Sequence, residues 1–384
     1  MFAGTASAVN NKFGAHRLPS SLQLSRGLSH KALLPFHRAA SNAVHSTTMQ
    51  ASLPTVVVAG ATGRLGTRVV SALLNPPPES KASPVAVRAL VRDAARAKTK
   101  LPESGDLEIV ECDLLDESAI QTACSGAEAL VWCATGFSDS SERSVVDKLL
   151  GAFRQQFQPQ ESVDIAGMRA AADCFREGAS SLGGPRVIMC SSAGVTRPVW
   201  SAEKKQKFEG CADIPIVRVN PLGVLDVKRD CEEVLRASGA SYCVVRPCGL
   251  NDKWPAGRPV LTQGDMAVGR INRDDTARFL ADMVFEPAAE GKSFEVFALQ
   301  GYPAAADNAG QLSRFRGDTS PPLSDDALEV QYNLLQQLVP GAELAPNKLA
   351  MGQTYEQLDK GETGRLGVRG TERPQFEATS GTKS

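Results

Sequence analysis

The residues best placed to do chemistry form a short glycine series, Gly60-Ala-Thr-Gly63-Arg-Leu-Gly66. It follows the β-branched run Thr55-Val-Val-Val-Ala59 and precedes a stretch from Arg68 to Leu74 with helical spacing, so it reads as a tight strand-to-helix turn. Glycine lets a backbone turn sharply and approach a ligand closely, and the start of a helix offers free N–H groups and a positive dipole end. These are the requirements for holding a diphosphate. A glycine-rich turn that binds nothing is the plain alternative; the strand and helix on either side argue against it. The letters Thr-Gly-Arg-Leu-Gly return at 363–367, but no apolar strand precedes that copy, which reads as a loop.

A second strand, Val85 to Val91, ends at Arg92-Asp93. An acid at that place commonly bonds a ribose 2′-hydroxyl, whereas a cation accommodates a 2′-phosphate. Arg92, with Arg64 and Arg88 as possible helpers, favours NADP (NADPH over NADH), although the adjacent Asp93 blurs the choice. Other chemistry is excluded. All four histidines, His16, His30, His37 and His45, lie near the N-terminus, so the remainder of the chain has no imidazole for nucleophile activation, acid–base work or zinc. The nine cysteines contain no Cys-x-x-Cys pair and sit mostly in apolar contexts, the pattern of buried reduced thiols rather than of a metal or redox site.

The elements that must position these residues alternate. Strands are expected at 55–59, 85–91, 107–110, 129–133, 186–190 and 242–246, with a last one at 294–299, and helices from Arg68, from Ser118, over 163–176 and over 225–238. This βαβ spacing calls for a parallel sheet. Between Gly136 and Asp164 the residues Val145, Val146, Leu149, Leu150 and Phe153 recur at helical spacing, predicting an inserted amphipathic helix.

The ends of the chain differ from its middle. Residues 1–53 carry five basic side chains and no acid, the composition of an organelle transit peptide, with an ordinary disordered N-terminus as the alternative. Residues 54–301 form the expected α/β domain. Residues 302–384 form an extension with one helix capped by Ser324 and carrying Leu328, Tyr332 and Leu335 on one face; from 341 onward it is polar, Gly-rich and aperiodic. With 42 Lys+Arg against 43 Asp+Glu there is no basic excess for nucleic acid, and no apolar run approaches the ~18 residues of a membrane span, so the chain is read as soluble.

GATGRLG, VRD at the second strand, CD at the third, CATGF at the fourth, SSAGV at the fifth and VVRPCGL at the sixth together resemble the atypical short-chain dehydrogenase/reductase superfamily. The nearest likeness is to its NmrA-like, NAD(P)H-binding group with plastid members. It covers roughly residues 55–300. The resemblance implies a Rossmann-type, doubly wound parallel sheet with a C-terminal helical or irregular extension. It implies Gly60, Thr62, Gly63, Arg64, Leu65 and Gly66 around the pyrophosphate, and Arg92 at the adenosine phosphate. Asp113 and Leu114 would lie at the adenine, and Ala134, Thr135 and Gly136 on the path to the nicotinamide ribose. Pro247, Cys248 and Gly249 would cover the nicotinamide. Ser192 matches a serine that bonds the reacting carbonyl, and Lys228 a lysine that holds the ribose hydroxyls; these are the two candidate catalytic residues.

Two positions depart from the family pattern. Its proton donor is the Tyr of Tyr-x-x-x-Lys, and four residues before Lys228 stands Val224. Valine cannot donate a proton. The other is Cys248, where many relatives have glycine. Two expectations follow: a chloroplast NADPH-dependent oxidoreductase with a small-molecule acceptor, stromal or peripheral to a plastid membrane, or a non-catalytic NADP-binding assembly or redox-sensing factor whose extension engages a plastid protein partner.

Overall fold

β-Branched runs cut short by glycine dictate the centre of the molecule. The computed structural model describes residues 53–78, 80, 82–136, 162–300 and 307–338. β1 (Thr55–Ala59) passes through the glycine turn into α1 (Gly66–Leu74); β2 (Ala86–Val91), α2 (Ala94–Lys98), β3 (Leu107–Glu111), α3 (Glu117–Cys124) and β4 (Ala129–Trp132) follow. A π turn, Val163–Gly167, opens α4 (Met168–Asp173), and β5 (Val187–Cys190) comes next. Short helices α5 (Ala202–Lys207), α6 (Glu209–Ala212) and α7 (Pro215–Val219) precede the long α8 (Val224–Ala237) and β6 (Tyr242–Pro247). Then come β7 (Gly249–Leu250), β8 (Gly257–Thr262), β9 (Arg270–Ile271), α9 (Arg273–Met283), β10 (Lys292–Gln300), α10 (Ala309–Leu312) and α11 (Asp325–Leu338).

The main sheet has the order β3-β2-β1-β4-β5-β6-β10-β8. Every neighbouring pair is parallel except β10 with β8, so the expected doubly wound, Rossmann-like sheet is present. Both faces are covered, which is why its central strands read as unbroken apolar runs. Val56 and Val58 face one layer with Val69, Val70 and Leu73 of α1 and Phe279, Leu280 and Met283 of α9. Val57 and Ala59 face the other, with Ile120 of α3, Met168 of α4 and Leu235 of α8. Trp200, Phe208, Leu225, Met266 and Phe297 form a third cluster, completed by Leu328, Tyr332 and Leu335 of α11. Ser324 caps α11 as expected, its Oγ accepting the Ala327 N–H at 3.3 Å.

The structure adds helices that were not expected, among them α2, α5–α7 and the long α9, and two further elements differ from expectation. No strand was expected at Gly257–Thr262, where glycine and proline break the pattern; β8 pairs antiparallel at the sheet edge, the one place a strand tolerates Pro259. The helix expected over 163–176 opens as a wide π turn and its α-helical part ends at Asp173. The inserted helix expected between Gly136 and Asp164, the transit segment and the 341–384 tail fall outside the described residues.

The β6–β10–β8 edge carries a buried charge network. Arg246 of β6 makes two bonds to Glu232 of α8, at 2.9 and 2.6 Å, and lies 3.7 Å from Glu295 of β10. Glu295 accepts the Thr262 hydroxyl at 2.8 Å and the Asp265 N–H at 3.0 Å. Burial, then the charge of Asp265, pushes the Glu295 carboxyl up to about 7, with Arg246 opposing. A carboxyl raised on folding takes up a proton, so its contribution to stability is complete below the ordinary glutamate range and disappears as pH rises through 7. Denaturant titrations from pH 4.5 to 8 should therefore show a decline for the native chain that Glu295→Gln lacks, on the order of 3 kcal/mol over the range. Identical pH profiles would mean that Glu295 is ionised throughout.

Candidate dinucleotide site

Close backbone contact shapes the glycine turn, and the Thr67 hydroxyl and the Arg68 guanidinium add bonds to the Gly63 and Arg64 carbonyls at 3.1 and 2.6 Å. Gly60 has φ +77°, and a Cβ on it would stand 2.7 Å from the Ala134 nitrogen; a Cβ on Gly66 would stand 2.1 Å from the Gly60 carbonyl oxygen. The Gly63 N–H donates to Gly60 O at 3.0 Å and the Thr67 N–H to Gly63 O at 3.0 Å. α1 begins at Gly66 with no side-chain cap and no acid in its first turn, so its positive end is left uncompensated. Thr62 and Leu65 are half-buried beside it, while Gly63 and Arg64 are exposed. A cradle that admits no side chain and presents a bare helix terminus fits a diphosphate.

Arg64 contributes its backbone to the turn, but its guanidinium reaches away to Asp252 at 2.7 Å. Asp252 also accepts Arg273 at 2.7 Å. Those bonds, Arg273 first and then Arg64, hold the Asp252 carboxyl down at about 2. Arg88, the other possible helper, is engaged with Glu108 at 2.6 Å and with the Ala123 and Ser125 carbonyls at 2.8 and 3.0 Å. Arg92 is exposed just past β2 and has no ion-pair partner among the described residues. Asp93 is committed as the cap of α2, accepting the Arg96 N–H at 2.9 Å. The two neighbours thus differ in their local commitments: Asp93 caps a helix, while Arg92 has no ion-pair partner among the described residues.

Past β3, Asp113 is exposed and accepts the Leu115 N–H at 3.0 Å, with Leu114 half-buried next to it. Past β4, Ala134 is buried and Thr135 and Gly136 are exposed. The Gly136 N–H donates to Asp164 Oδ2 at 2.7 Å. Asp164, wholly buried in the π turn, is the residue that sequence reasoning missed. Its Oδ1 stands 3.4 Å from Lys228 Nζ without a formed hydrogen bond, and Nζ also donates to the Cys190 carbonyl at 3.3 Å. Burial, the largest single influence, pulls the Lys228 ammonium down, but the Asp164 carboxylate together with the nearby Cys190 and Cys231 sulfurs outweighs it, and the lysine is held above its ordinary range. It is a fixed cation at neutral pH, not a proton shuttle.

Ser192 is half-buried beyond β5, its hydroxyl donating to the adjacent Ala193 carbonyl at 3.0 Å. Pro247 and Cys248 are buried and Gly249 is exposed at the end of β6. Burial raises the neighbouring thiols, Cys190 to about 11 and Cys133 well above the ordinary value, so neither is a nucleophile. The tyrosines that are described serve elsewhere: Tyr242 donates to Asp318 at 3.0 Å and Tyr332 accepts the Gly210 N–H at 3.0 Å. Among the described residues there is no group of side chains able to hold a metal ion.

A family model described as NAD(P)H-binding matches residues 60–287, more than half of the chain. The chain belongs to this NAD(P)H-binding family. It is 26% identical over 247 residues to an uncharacterised chloroplastic protein of Arabidopsis thaliana, covering 63% of this chain and 76% of that one. It is 30% identical over 210 residues to the chloroplastic protein TIC 62 of Arabidopsis thaliana, covering 51% of this chain and only 27% of TIC 62. An oxidoreductase of Lactococcus lactis superposes with a TM-score of 0.49 at 14% identity, over 69% of this chain and 100% of the other.

Membership of the NAD(P)H-binding family gives Asp164 a testable place. Asp164→Asn removes the charge facing Lys228 while leaving an acceptor for Gly136. Calorimetric titration with NADPH and NADH should show roughly tenfold weaker binding, with circular dichroism unchanged. Undiminished affinity would make Asp164 a core group only.

Proposed function

We propose that this protein is a plastid NADPH-dependent reductase of the NAD(P)H-binding family. The observation that carries the cofactor choice is Arg92, which has no ion-pair partner among the described residues, beside an Asp93 committed to capping α2. In this reading the turn Gly60–Gly66 holds the pyrophosphate, Arg92 faces a 2′-phosphate, Asp113 and Leu114 flank the adenine, and Lys228 bonds the nicotinamide ribose. Ala134, Thr135, Gly136, Pro247 and Gly249 wall the path to the nicotinamide, and Ser192 polarises the acceptor. Bound NADPH supplies a hydride; the chain's part is to orient it. Plastid residence is supported by the basic, acid-free segment 1–53 and by relatives that are themselves chloroplastic.

Val224 at the place of the proton-donating tyrosine favours a second reading, an NADP-binding factor without turnover that acts through a plastid protein partner. The two separate on assay: the reductase reading expects NADPH oxidation with a quinone, flavin or small carbonyl, slowed by Ser192→Ala, and silence across that panel favours the second. The cofactor choice is tested on its own. Arg92→Ala should weaken NADPH binding about 10- to 100-fold and NADH binding less than twofold, as expected for the loss of one charge-assisted phosphate contact. Equal losses for both would remove the NADP assignment.

A further inference from the structure

The turn that follows β8 carries a carboxylate directed inward. Gly264 and Asp265 both have positive φ, +94° and +60°, and Asp265 is one of three described residues other than glycine in that region. Asp tolerates the left-handed conformation better than most side chains, and here its side chain is almost wholly buried. Asp265 Oδ1 accepts the Gly194 N–H at 2.6 Å, and Oδ2 accepts both the N–H and the hydroxyl of Thr196 at 2.8 Å. The buried Arg197 guanidinium lies 3.5 Å from Oδ1 and donates to the Asp265 carbonyl at 2.8 Å.

All of these partners belong to the loop after β5 that bears Ser192. On its near side the Ser191 N–H donates to the Val245 carbonyl at 2.7 Å and the Ala193 N–H to the Pro247 carbonyl at 3.0 Å, so β6 holds it there. Its far side hangs on the Asp265 carboxylate, and bonds to an ionised oxygen are the stronger class. The same turn also meets the C-terminal extension. A Cβ on Gly264 would collide with Leu328 Cδ2 of α11 and stand 3.4 Å from Leu323 Cδ1. Gln331 of α11 donates to the Gln263 carbonyl, and the Gln263 side chain exchanges two bonds with the Arg316 backbone, accepting at 3.0 Å and donating at 2.9 Å. One three-residue turn therefore touches both the extension and the Ser192 loop.

We propose that Asp265 is a positioning residue for the Ser192 loop, and that α11, by seating the Gln263–Asp265 turn, sets the geometry of that loop. The role of Ser192 itself rests on the reductase reading. The action runs through backbone: with both oxygens engaged, the carboxylate fixes Gly194 and Thr196, two and four residues past Ser192, relative to the end of β8. A shift of α11 moves the turn, and the turn moves those two amides. The extension thereby acts on the site without placing a side chain in it. An asparagine at 265 keeps the tolerance for positive φ but has a single acceptor oxygen, and its NH2 would face an N–H donor, so at least one of the three bonds is lost.

The test uses the full chain and reads amide hydrogen exchange by mass spectrometry in peptides spanning 191–197, beside NADPH oxidation with a quinone. Asp265→Asn should speed exchange in those peptides about tenfold and leave peptides from β1 and β4 unchanged. Leu328→Ala, which opens the contact with Gly264 and leaves the carboxylate in place, should speed the same peptides severalfold. Turnover should fall in both variants, with kcat about tenfold lower in Asp265→Asn and NADPH affinity within twofold of native. Absence of turnover in the native chain counts against the reductase reading alone, and the exchange rates then decide the proposal; should Asp265→Asn fail to fold, Leu328→Ala decides it. The proposal is overturned if either folded variant exchanges at the native rate over 191–197, or if the native chain turns over and a loosened loop leaves kcat unchanged.

Discussion

The approach of Gly66 to the Gly60 carbonyl, together with that of Gly60 to β4, is the constraint on which the site depends. Neither position has room for a methyl group, so α1 can start only where the chain is bare backbone. This fixes more than a turn. Gly60 abuts the Cys133–Ala134 backbone, and the chain continues through Thr135 to Gly136, whose N–H is held by Asp164, which in turn faces Lys228. One packing requirement between β1 and β4 thus sets the glycine turn, and a single buried carboxylate links the far side of that contact to the lysine of α8.

Buried charge is used twice, at different scales. Asp164 and Lys228 form a sparse pair with a 3.4 Å separation and an unsatisfied Oδ1. Near the β8 edge the pairing is dense. Arg236 bonds Glu232 at 2.8 Å, Asp318 at 3.0 Å and Ser293 at 2.7 Å, while Arg197 donates to the carbonyls of Asp265, Cys211 and Ala267. Removing one member of such a network leaves a charge without compensation, at a cost of about 3–5 kcal/mol, whereas replacing a whole pair with apolar groups can be neutral. Asp318 also accepts Tyr242 and the Ser293 N–H, which secures the segment leading to α11 against β6 and β10. The dense network therefore anchors late-sequence elements to the sheet, while the sparse pair leaves donor capacity on Lys228.

Much of this was legible because parallel strands covered on both faces need uninterrupted apolar sequence, as in VVVA, ALVW and VIMC. The glycine spacing gave the cradle for the same kind of reason: only close backbone approach demands it. β8 was hidden because an edge strand may contain glycine and proline and need not alternate. Asp164 was hidden because an acid near a helix start looks like an ordinary solvated first-turn carboxylate; what buries it is the wider π turn, which carries no signature in VDIAG. Arg88 and Arg92 share a strand face by alternation, and residue type cannot tell them apart. Their difference is tertiary: the end of α3 supplies carbonyls to Arg88, and among the described residues nothing comparable is bonded to Arg92.

The missing tyrosine gains meaning from its surroundings. Lys228 is held charged by Asp164 and cannot release a proton near neutrality, and the Ser192 hydroxyl is bonded to its own neighbour's carbonyl. Tyr242 lies at the opposite end of β6, tied to Asp318, and its phenol is raised by burial and by that carboxylate. Reduction of an aldehyde or ketone to an alcohol needs a proton on oxygen as the hydride arrives, and the described residues at this site offer no acid tuned to give it. A quinone or flavin disperses the incoming negative charge over a conjugated system and can collect its proton from water afterwards. Within the proposed reductase reading, the electrostatics of Asp164 and Lys228 therefore select among acceptors, favouring delocalised ones over simple carbonyls.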